Sequence, residues 1–183
     1  MANAANVTAA KPKLSGAVYV APVGSTLPTS TSSDLDVAFK NLGYVSDNGL
    51  SNNNSRTSEK IKAWGGETVL NSQTEFVDEF KFTLLEVMNE DVLKTIYGSS
   101  NVTTSSGETA VKVNSTQPAE YAWVFEMVLK GNTAKRIVVP SASMTALEEI
   151  AYKDNEASGY GVTIGATPDA AGNTHYEYTK KGA

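Results

Sequence analysis

Two stretches of the chain alternate between apolar and polar residues, and this alternation predicts β-strands. In residues 73–84, the apolar side of the predicted strand consists of Phe76, Phe80, Phe82 and Leu84. The polar side carries Glu75, Glu79, Lys81 and Thr83. Asp78 falls on the apolar side and interrupts the pattern, which favours a strand edge or an interface at this position.

The second alternating stretch, residues 121–130, brings large apolar side chains onto one face: Tyr121, Trp123, Phe125, Met127 and Leu129. The Gly131-Asn132 pair that follows predicts a turn. The rest of the C-terminal part contains shorter strand candidates, at residues 135–139, 146–153, 160–166 and 175–178. We expect both tryptophans, Trp64 and Trp123, to pack in the core.

The N-terminal half is more polar and divides into short strands and long loops. Residues 1–13 have no periodicity and predict a flexible arm that becomes ordered only on binding. Strands are predicted at residues 14–21 and 42–46, and Gly65-Gly66 predicts a hairpin or bulge between strands at 61–64 and 68–72. Long polar loops are predicted at residues 22–36, 47–59 and 98–109.

One helix is marked by signals at both ends. Asn89 is a good N-cap, Glu90 and Asp91 suit the first turn, and Gly98 provides a C-terminal stop. Taken together, the patterns predict a mainly β protein: a β-sandwich of about eight to ten strands with one flanking α-helix. Residues 14–183 would form this single domain, with the arm before it.

The composition excludes several kinds of chemistry. The chain of 183 residues has no cysteine and one histidine, His175, so disulfide bonds, cysteine nucleophiles and histidine-based metal clusters cannot form. Its formal net charge is −5, and only two of its 15 basic residues are arginines. A nucleic-acid-binding surface is typically basic and rich in arginine. We therefore expect no cofactor, no metal site and no specific binding of DNA.

No arrangement of residues points to catalysis. Glu148 and Glu149 are adjacent, so they would face opposite sides of the predicted 146–153 strand and could not flank one bond. His175 has no evident nucleophile partner. The N-terminal residues lack the basic start and apolar block of a signal peptide, and no apolar stretch approaches the length of a membrane helix. We expect a protein that is not an enzyme and does not enter a membrane.

Five segments resemble the major tail protein, or tail tube protein, of long-tailed, non-contractile bacteriophages. They are KPKLSGAVYVAPVGSTLPT (11–29), NLGYVSDNGLSNNNSRTSEKIKAWGGETV (41–69), FKFTLLEVMNEDVLKTIYG (80–98), EYAWVFEMVLKGNTAKRIVVP (120–140) and YKDNEASGYGVTIGATPDAAGNTHYEY (152–178). They cover nearly the whole chain in order. The Leu-Gly-Tyr-Val-Ser and Trp-Gly-Gly pieces are the most distinctive.

This resemblance implies a structural protein of the virion. In the family, subunits form hexameric rings, and the rings stack into a hollow tail tube through which the genome is ejected. Each subunit is a β-sandwich with a flanking helix, and a long loop and a terminal arm bridge subunits and rings. The implied partners are other copies of the chain and the tail initiator or tip, tape-measure and terminator proteins. The resemblance also implies assembly in the host bacterial cytoplasm.

Two sets of candidate residues follow if the chain is a tube subunit. The polar segment 47–59 is the candidate ring-stacking loop, and its Asn-rich part contains Leu50, Asn52, Asn53, Asn54 and Arg56. An acidic lumen would repel the phosphates of passing DNA and let the duplex slide. The acids that could line such a lumen are Glu75, Glu79, Glu148 and Glu149.

Two other classes of protein remain open at this point. A different virion structural protein, such as a tail terminator or a head decoration protein, can share a sandwich fold, and unlimited polymerisation would separate a tube subunit from it. A carbohydrate-binding β-sandwich would need aromatic side chains on an exposed platform. The predicted burial of both tryptophans disfavours that class.

Overall fold

Antiparallel strands make up most of the ordered backbone. The computed structural model describes residues 2–13 and 16–182. Within those ranges the chain forms one α-helix, α1 (Glu90–Tyr97), and eleven strands. The strands are β1 (Ala10–Pro12), β2 (Val18–Pro22), β3 (Lys40–Asn41), β4 (Ser51–Lys62), β5 (Thr68–Leu84), β6 (Val102–Ser105), β7 (Glu108–Val111), β8 (Tyr121–Leu129), β9 (Thr133–Leu147), β10 (Tyr160–Ala166) and β11 (Tyr176–Lys180). The mainly β class with one helix is confirmed.

Nine of these strands pair into one antiparallel sheet. The order across the sheet is β3-β2-β8-β9-β10-β5-β4, with β1 added to β8 and β11 added to β9. β6 and β7 form a separate two-stranded hairpin. The predicted strand at 14–21 begins at residues 14 and 15, which lie outside the described residues, and its described part is β2.

The large sheet folds over so that its two halves face each other like the layers of a sandwich. Phe80 on β5 stacks against Phe125 on β8 with ring centroids 5.5 Å apart, although β9 and β10 separate these strands in the sheet order. Phe82 meets Trp123 edge-on at 5.6 Å. Residues 40–46 connect the two ends of the sheet, because β3 pairs with β2 and Val45 then bridges to Leu84 on β5.

The main core lies between the two halves and beneath α1. Trp123 and Phe80 are fully buried there, and burial of each such side chain stabilises the fold by roughly 1.5–3 kcal/mol. The helix begins and ends where the sequence predicted. The Asn89 side chain accepts a hydrogen bond from the Asp91 amide at the N-terminus, and the Gly98 amide donates to the Lys94 carbonyl at the C-terminus. A second, smaller cluster on the other face of β8 and β9 contains Ala21, Phe39, Ala122, Val124 and Val138.

In the predicted loop at 22–36, Pro22 ends β2 and residues 23–36 form neither helix nor strand, and a buried ion pair holds this segment against the sheet. Arg136 on β9 pairs with Glu126 on β8, and both side chains are buried. The same guanidinium donates to the carbonyls of Ser30 and Ser33 at 2.6 and 2.7 Å. Lys13 donates to the other Glu126 oxygen at 2.7 Å, so one buried carboxylate anchors both the loop and the end of the N-terminal segment.

The structure corrects three predicted elements. Residues 47–59 are not a loop throughout, because β4 begins at Ser51 and pairs residue by residue with β5. Segment 98–109 contains a short 3₁₀ turn and most of the β6–β7 hairpin. The strand predicted at 135–139 lies within β9, but β9 ends at Leu147, so only the first two residues of the strand predicted at 146–153 are strand. In the first two segments cross-strand pairing outweighs the weak local preference of Ser-, Thr- and Asn-rich sequence for a strand.

Candidate functional site

The β4–β5 hairpin projects from the sandwich as a long two-stranded ribbon. Every residue of β4 is exposed, and so are residues 68–76 of β5. At about 3.3 Å per residue, the 12 residues of β4 span about 40 Å. A two-stranded ribbon with both faces in solvent is marginally stable by itself.

The tip of the hairpin carries an exposed tryptophan. The Gly66 amide donates to the Ala63 carbonyl at 3.0 Å, and the Ala63 amide donates to the Glu67 carbonyl at 2.7 Å. Gly65 and Gly66 have φ angles of 113° and 94°, which other residues rarely adopt. The turn presents Trp64 with a relative exposure of 107%. The prediction that Trp64 packs in the core is therefore wrong, whereas Trp123 is buried as expected.

The residues of the candidate ring-stacking loop lie at the base of the hairpin and along β4. Leu50 is half-buried and packs against the main core. The Asn52 side chain donates to Asp78 Oδ1 at 2.8 Å and to the Glu79 carbonyl at 3.1 Å, and Asn53 pairs in register with Glu79. Asn52 is thus committed to holding the base together.

Further out, Asn54 and Arg56 belong to the exposed ribbon. The Arg56 guanidinium donates to Asn54 Oδ1 at 3.0 Å and lies over the Phe76 ring at 4.5 Å from its centroid. Phe76 is the cross-strand partner of Arg56, and a cation over an aromatic face at an exposed site contributes roughly 0.5–1 kcal/mol. Four of the five candidate residues therefore lie in β4 and Leu50 immediately precedes it, and the tip is instead residues 63–67.

Three of the four candidate lumen acids share the outer face of the sheet. Glu75 and Glu79 point away from the core side of β5, which carries Phe80 and Phe82. Glu148 follows β9, and its side chain crosses over Gly161 of β10 to pair with Lys81 of β5. A Cβ at position 161 would lie 2.3 Å from the Glu148 carboxylate, so the glycine makes room for this ion pair.

Glu149 is not brought to this face by any strand pairing. It is exposed in the segment after β9, where the backbone has left the sheet. The expectation that Glu148 and Glu149 sit on a strand is therefore wrong. The centre of the outer face carries only small side chains, because β10 contributes Gly161, Thr163 and Gly165 there.

A buried polar cluster explains the acid that interrupts the apolar side of β5. Asp78 accepts hydrogen bonds from Thr174 Oγ1 at 2.5 Å and His175 Nδ1 at 2.6 Å, in addition to Asn52. Burial would raise the pKa of Asp78, but the hydrogen bonds from Thr174 and Asn52 and the contact with His175 outweigh it and hold the pKa below the usual 3.8. The cluster fastens the segment before β11 to the base of the hairpin.

Sequence patterns missed this cluster because 97 residues separate Asp78 from His175. Two unusual residues could have indicated the cluster: Asp78, an acid on an apolar strand face, and His175, the single histidine of the chain. In the described ranges, no group of three or more histidine and acidic side chains could hold a metal ion. No helix of residues 2–13 and 16–182 is long and apolar enough to span a membrane.

Comparison with known proteins gives one family match. A family model described as "Phage tail tube protein" matches residues 2–182. No curated protein matches the chain. Among solved structures, the chain is similar to the cryo-EM structure of the anti-feeding prophage cap, a tube terminating cap, with 11% identity over 98% of this chain and 100% of the cap chain. The TM-score of 0.47 is too low for this likeness to support an argument. Because the family model spans nearly the whole chain, the chain belongs to the phage tail tube proteins.

Proposed function

We propose that this chain forms hexameric rings that stack into the tail tube and conduct the genome into the host. As a tail tube protein, the chain is a structural component of the virion tail. The observation that carries the finer proposal is the β4–β5 hairpin, whose outer part has no covering element in the described chain. Head-to-tail contacts between identical subunits close a ring by rotation, and stacking along the axis leaves the two ends open to growth.

In this proposal the hairpin bridges subunits and successive rings. The whole exposed ribbon, from Asn53 to Phe76, takes the role that the sequence suggested for segment 47–59. The β4 side of the ribbon from Asn53 to Lys60 is polar. The exposed apolar side chains lie near the tip and on β5, where they could contact another copy: Ile61, Trp64, Val69, Leu70 and Phe76. Assembly would then start from a tail initiator or tip complex in the host cytoplasm and end at a terminator, with a tape-measure protein setting the length.

The outer face of the sheet is the proposed wall of the lumen. It carries Glu75, Glu79 and Glu148, and among these only Glu148 is neutralised by a lysine within the subunit. Repetition around a ring would produce a net negative wall, which repels DNA phosphates and disfavours binding. That Glu149 also lines this wall stays a prediction. We propose no enzymatic activity and no cofactor for this chain.

Shortening the hairpin tests the proposal directly. A variant with Asn-Gly in place of residues 58–74 joins the cross-strand pair Thr57 and Glu75 by a two-residue turn and keeps the base. We expect the purified wild-type protein, with the tail-tip complex as initiator, to form hollow tubes in negative-stain electron microscopy. We expect the shortened variant to remain a folded subunit by circular dichroism without forming tubes. Tubes of normal length and yield from the variant would contradict the role of the hairpin, and rings that never stack would favour a terminator.

A further inference from the structure

An apolar cavity opens beside the base of the hairpin, under β1. Its volume is about 210 Å³. The apolar side chains that line it come from β2, β5, β8 and the chain before β4: Val18, Val45, Leu50, Phe82, Phe125 and Met127. Such a cavity, with few polar groups in its wall, suits an apolar or aromatic occupant.

Ser46 belongs to the cavity wall, but its Oγ is fully buried and has no hydrogen-bond partner in residues 2–13 and 16–182. An occupant of the cavity cannot reach this oxygen, so apolar contacts with the wall must hold the occupant.

The hairpin tip has the matching chemistry. Trp64 is an exposed aromatic side chain with an N–H donor, held on a tight turn at the end of the ribbon. The charged side chains of residues 60–67 are Lys60, Lys62 and Glu67. Those in the cavity wall are Asp47 and Glu126, and Glu126 pairs with Arg136 and the partly exposed Lys13. A lysine of the tip could therefore pair with Asp47 at the rim.

The cavity and the tip of one chain cannot meet. Leu50 in the cavity wall immediately precedes β4, and Trp64 follows its far end, so about 40 Å of extended strand separates them. The occupant must then come from another molecule that carries the same tip.

We propose that Trp64 of one subunit inserts into the cavity beneath β1 of a second copy. This contact rests on the proposed tube assembly and specifies which surfaces join. It is heterologous, because the tip of each subunit enters the next and leaves its own cavity for another copy. It also places an aromatic anchor in a dry pocket, the usual form of an interface hot spot.

Fluorescence quenching by acrylamide tests whether Trp64 becomes buried. In free subunits Trp64 is exposed and Trp123 is buried, so the quenchable emission reports Trp64 alone. We expect this emission to shift to shorter wavelength and lose its quenching when tubes form. If no tubes form, the proposed assembly fails. If tubes form and Trp64 stays as quenchable as in free subunits, the insertion is wrong while the assembly stands.

Site-specific cross-linking identifies the pocket. Because the chain has no cysteine, only the introduced thiols can react with the cross-linker. In tubes of the Ala63→Cys, Asp47→Cys variant, a short bis-maleimide should link different subunits into covalent oligomers. The Ala63→Cys, Ser105→Cys variant is the matched control and should stay monomeric in denaturing gels, since Ser105 is in the β6–β7 hairpin. Protection of Trp64 without the 47–63 cross-link would overturn the choice of cavity.

Substitution of Trp64 measures how much this contact contributes to tube assembly. Trp64→Ala should raise the protein concentration needed for tube formation at least tenfold, as expected for the loss of a hot-spot residue. Tyr152→Ala removes another exposed aromatic side chain outside the hairpin and should leave that concentration unchanged. Equal effects of the two substitutions would contradict the proposal.

Discussion

β5 passes through two environments in one continuous strand. Its inner part, residues 78–84, alternates between the core and the outer face, whereas residues 68–76 are exposed on both sides. The inner register is fixed by apolar burial, because a slip of one residue would turn Phe80 and Phe82 into solvent. The outer register is held by pairing with β4 alone and contains two irregularities, at Thr57/Ser58 and Ile61/Lys62. One strand therefore combines a rigid part that folds the subunit with a ribbon suited to contacts between subunits.

The largest difference between the two parts should appear on truncation of their phenylalanines. Phe80→Ala removes a fully buried ring and should lower the free energy of unfolding by about 3–5 kcal/mol. Phe76→Ala, four residues earlier, removes an exposed ring that contacts Arg56 and should cost less than about 1 kcal/mol. Urea unfolding of free subunits measures both values. Similar losses for the two variants would mean that the ribbon packs like the core.

The next largest effect should come from the polar cluster at the junction of the two parts. Asp78→Ala leaves the donors of Asn52, Thr174 and His175 without their acceptor and should cost about 1–3 kcal/mol. Glu79→Ala, at the next position on the outer face, should change the free energy of unfolding by no more than about 0.5 kcal/mol. Equal costs would show that the buried hydrogen bonds contribute nothing to stability.

The pH dependence of stability should separate Asp78 from the exposed acids. The folded-state pKa of Asp78 is lowered, so the ionised carboxylate stabilises the fold above its unfolded-state pKa, near 3.8. This contribution is lost as pH falls through the lower folded-state value. The stability difference between the wild type and Asp78→Asn should thus shrink as the pH falls below about 4. If the stability difference between the two proteins does not depend on pH, the lowered pKa of Asp78 in the folded state is refuted.

The smallest effect on stability is expected for the proposed lumen acids. The combined Glu75→Lys and Glu79→Lys variant changes one exposed and one half-buried side chain on the outer face and should unfold within about 1 kcal/mol of the wild type. Its tubes should nevertheless slow or arrest DNA ejection in a phage carrying the variant, because cationic side chains bind phosphates by releasing counterions. Normal ejection from such tubes would exclude this face as the lumen wall.

Sequence patterns predicted best where one face of an element is buried. The alternation in 73–84 and 121–130, the caps of α1 and the turn at Gly65-Gly66 were all readable, because each reflects a local rule of burial or backbone geometry. β4 was not readable, since its Ser, Asn and Lys side chains have low strand preference and its partner alone makes it a strand. Trp64 was misassigned because exposure depends on how far the hairpin projects, which composition does not encode.

The same distinction between local patterns and long-range contacts applies to the candidate sites. Glu75 and Glu79 were assigned to one face by simple alternation, and the structure agrees. The contact of Glu148 with Lys81 could not be foreseen, because it depends on where β9 ends and on the space above Gly161. The Asp78 cluster required the fold to bring residues from β4, β5 and the segment before β11 together.

The most direct test of the central claim is a cryo-EM map of tubes assembled from this chain. The account predicts that neighbouring copies contact the hairpin along residues 53–76 and that the face of β5 carrying Glu75 and Glu79 stays open to the lumen. A map in which the hairpin lies free in solvent outside the tube would contradict the claim that this ribbon joins the subunits.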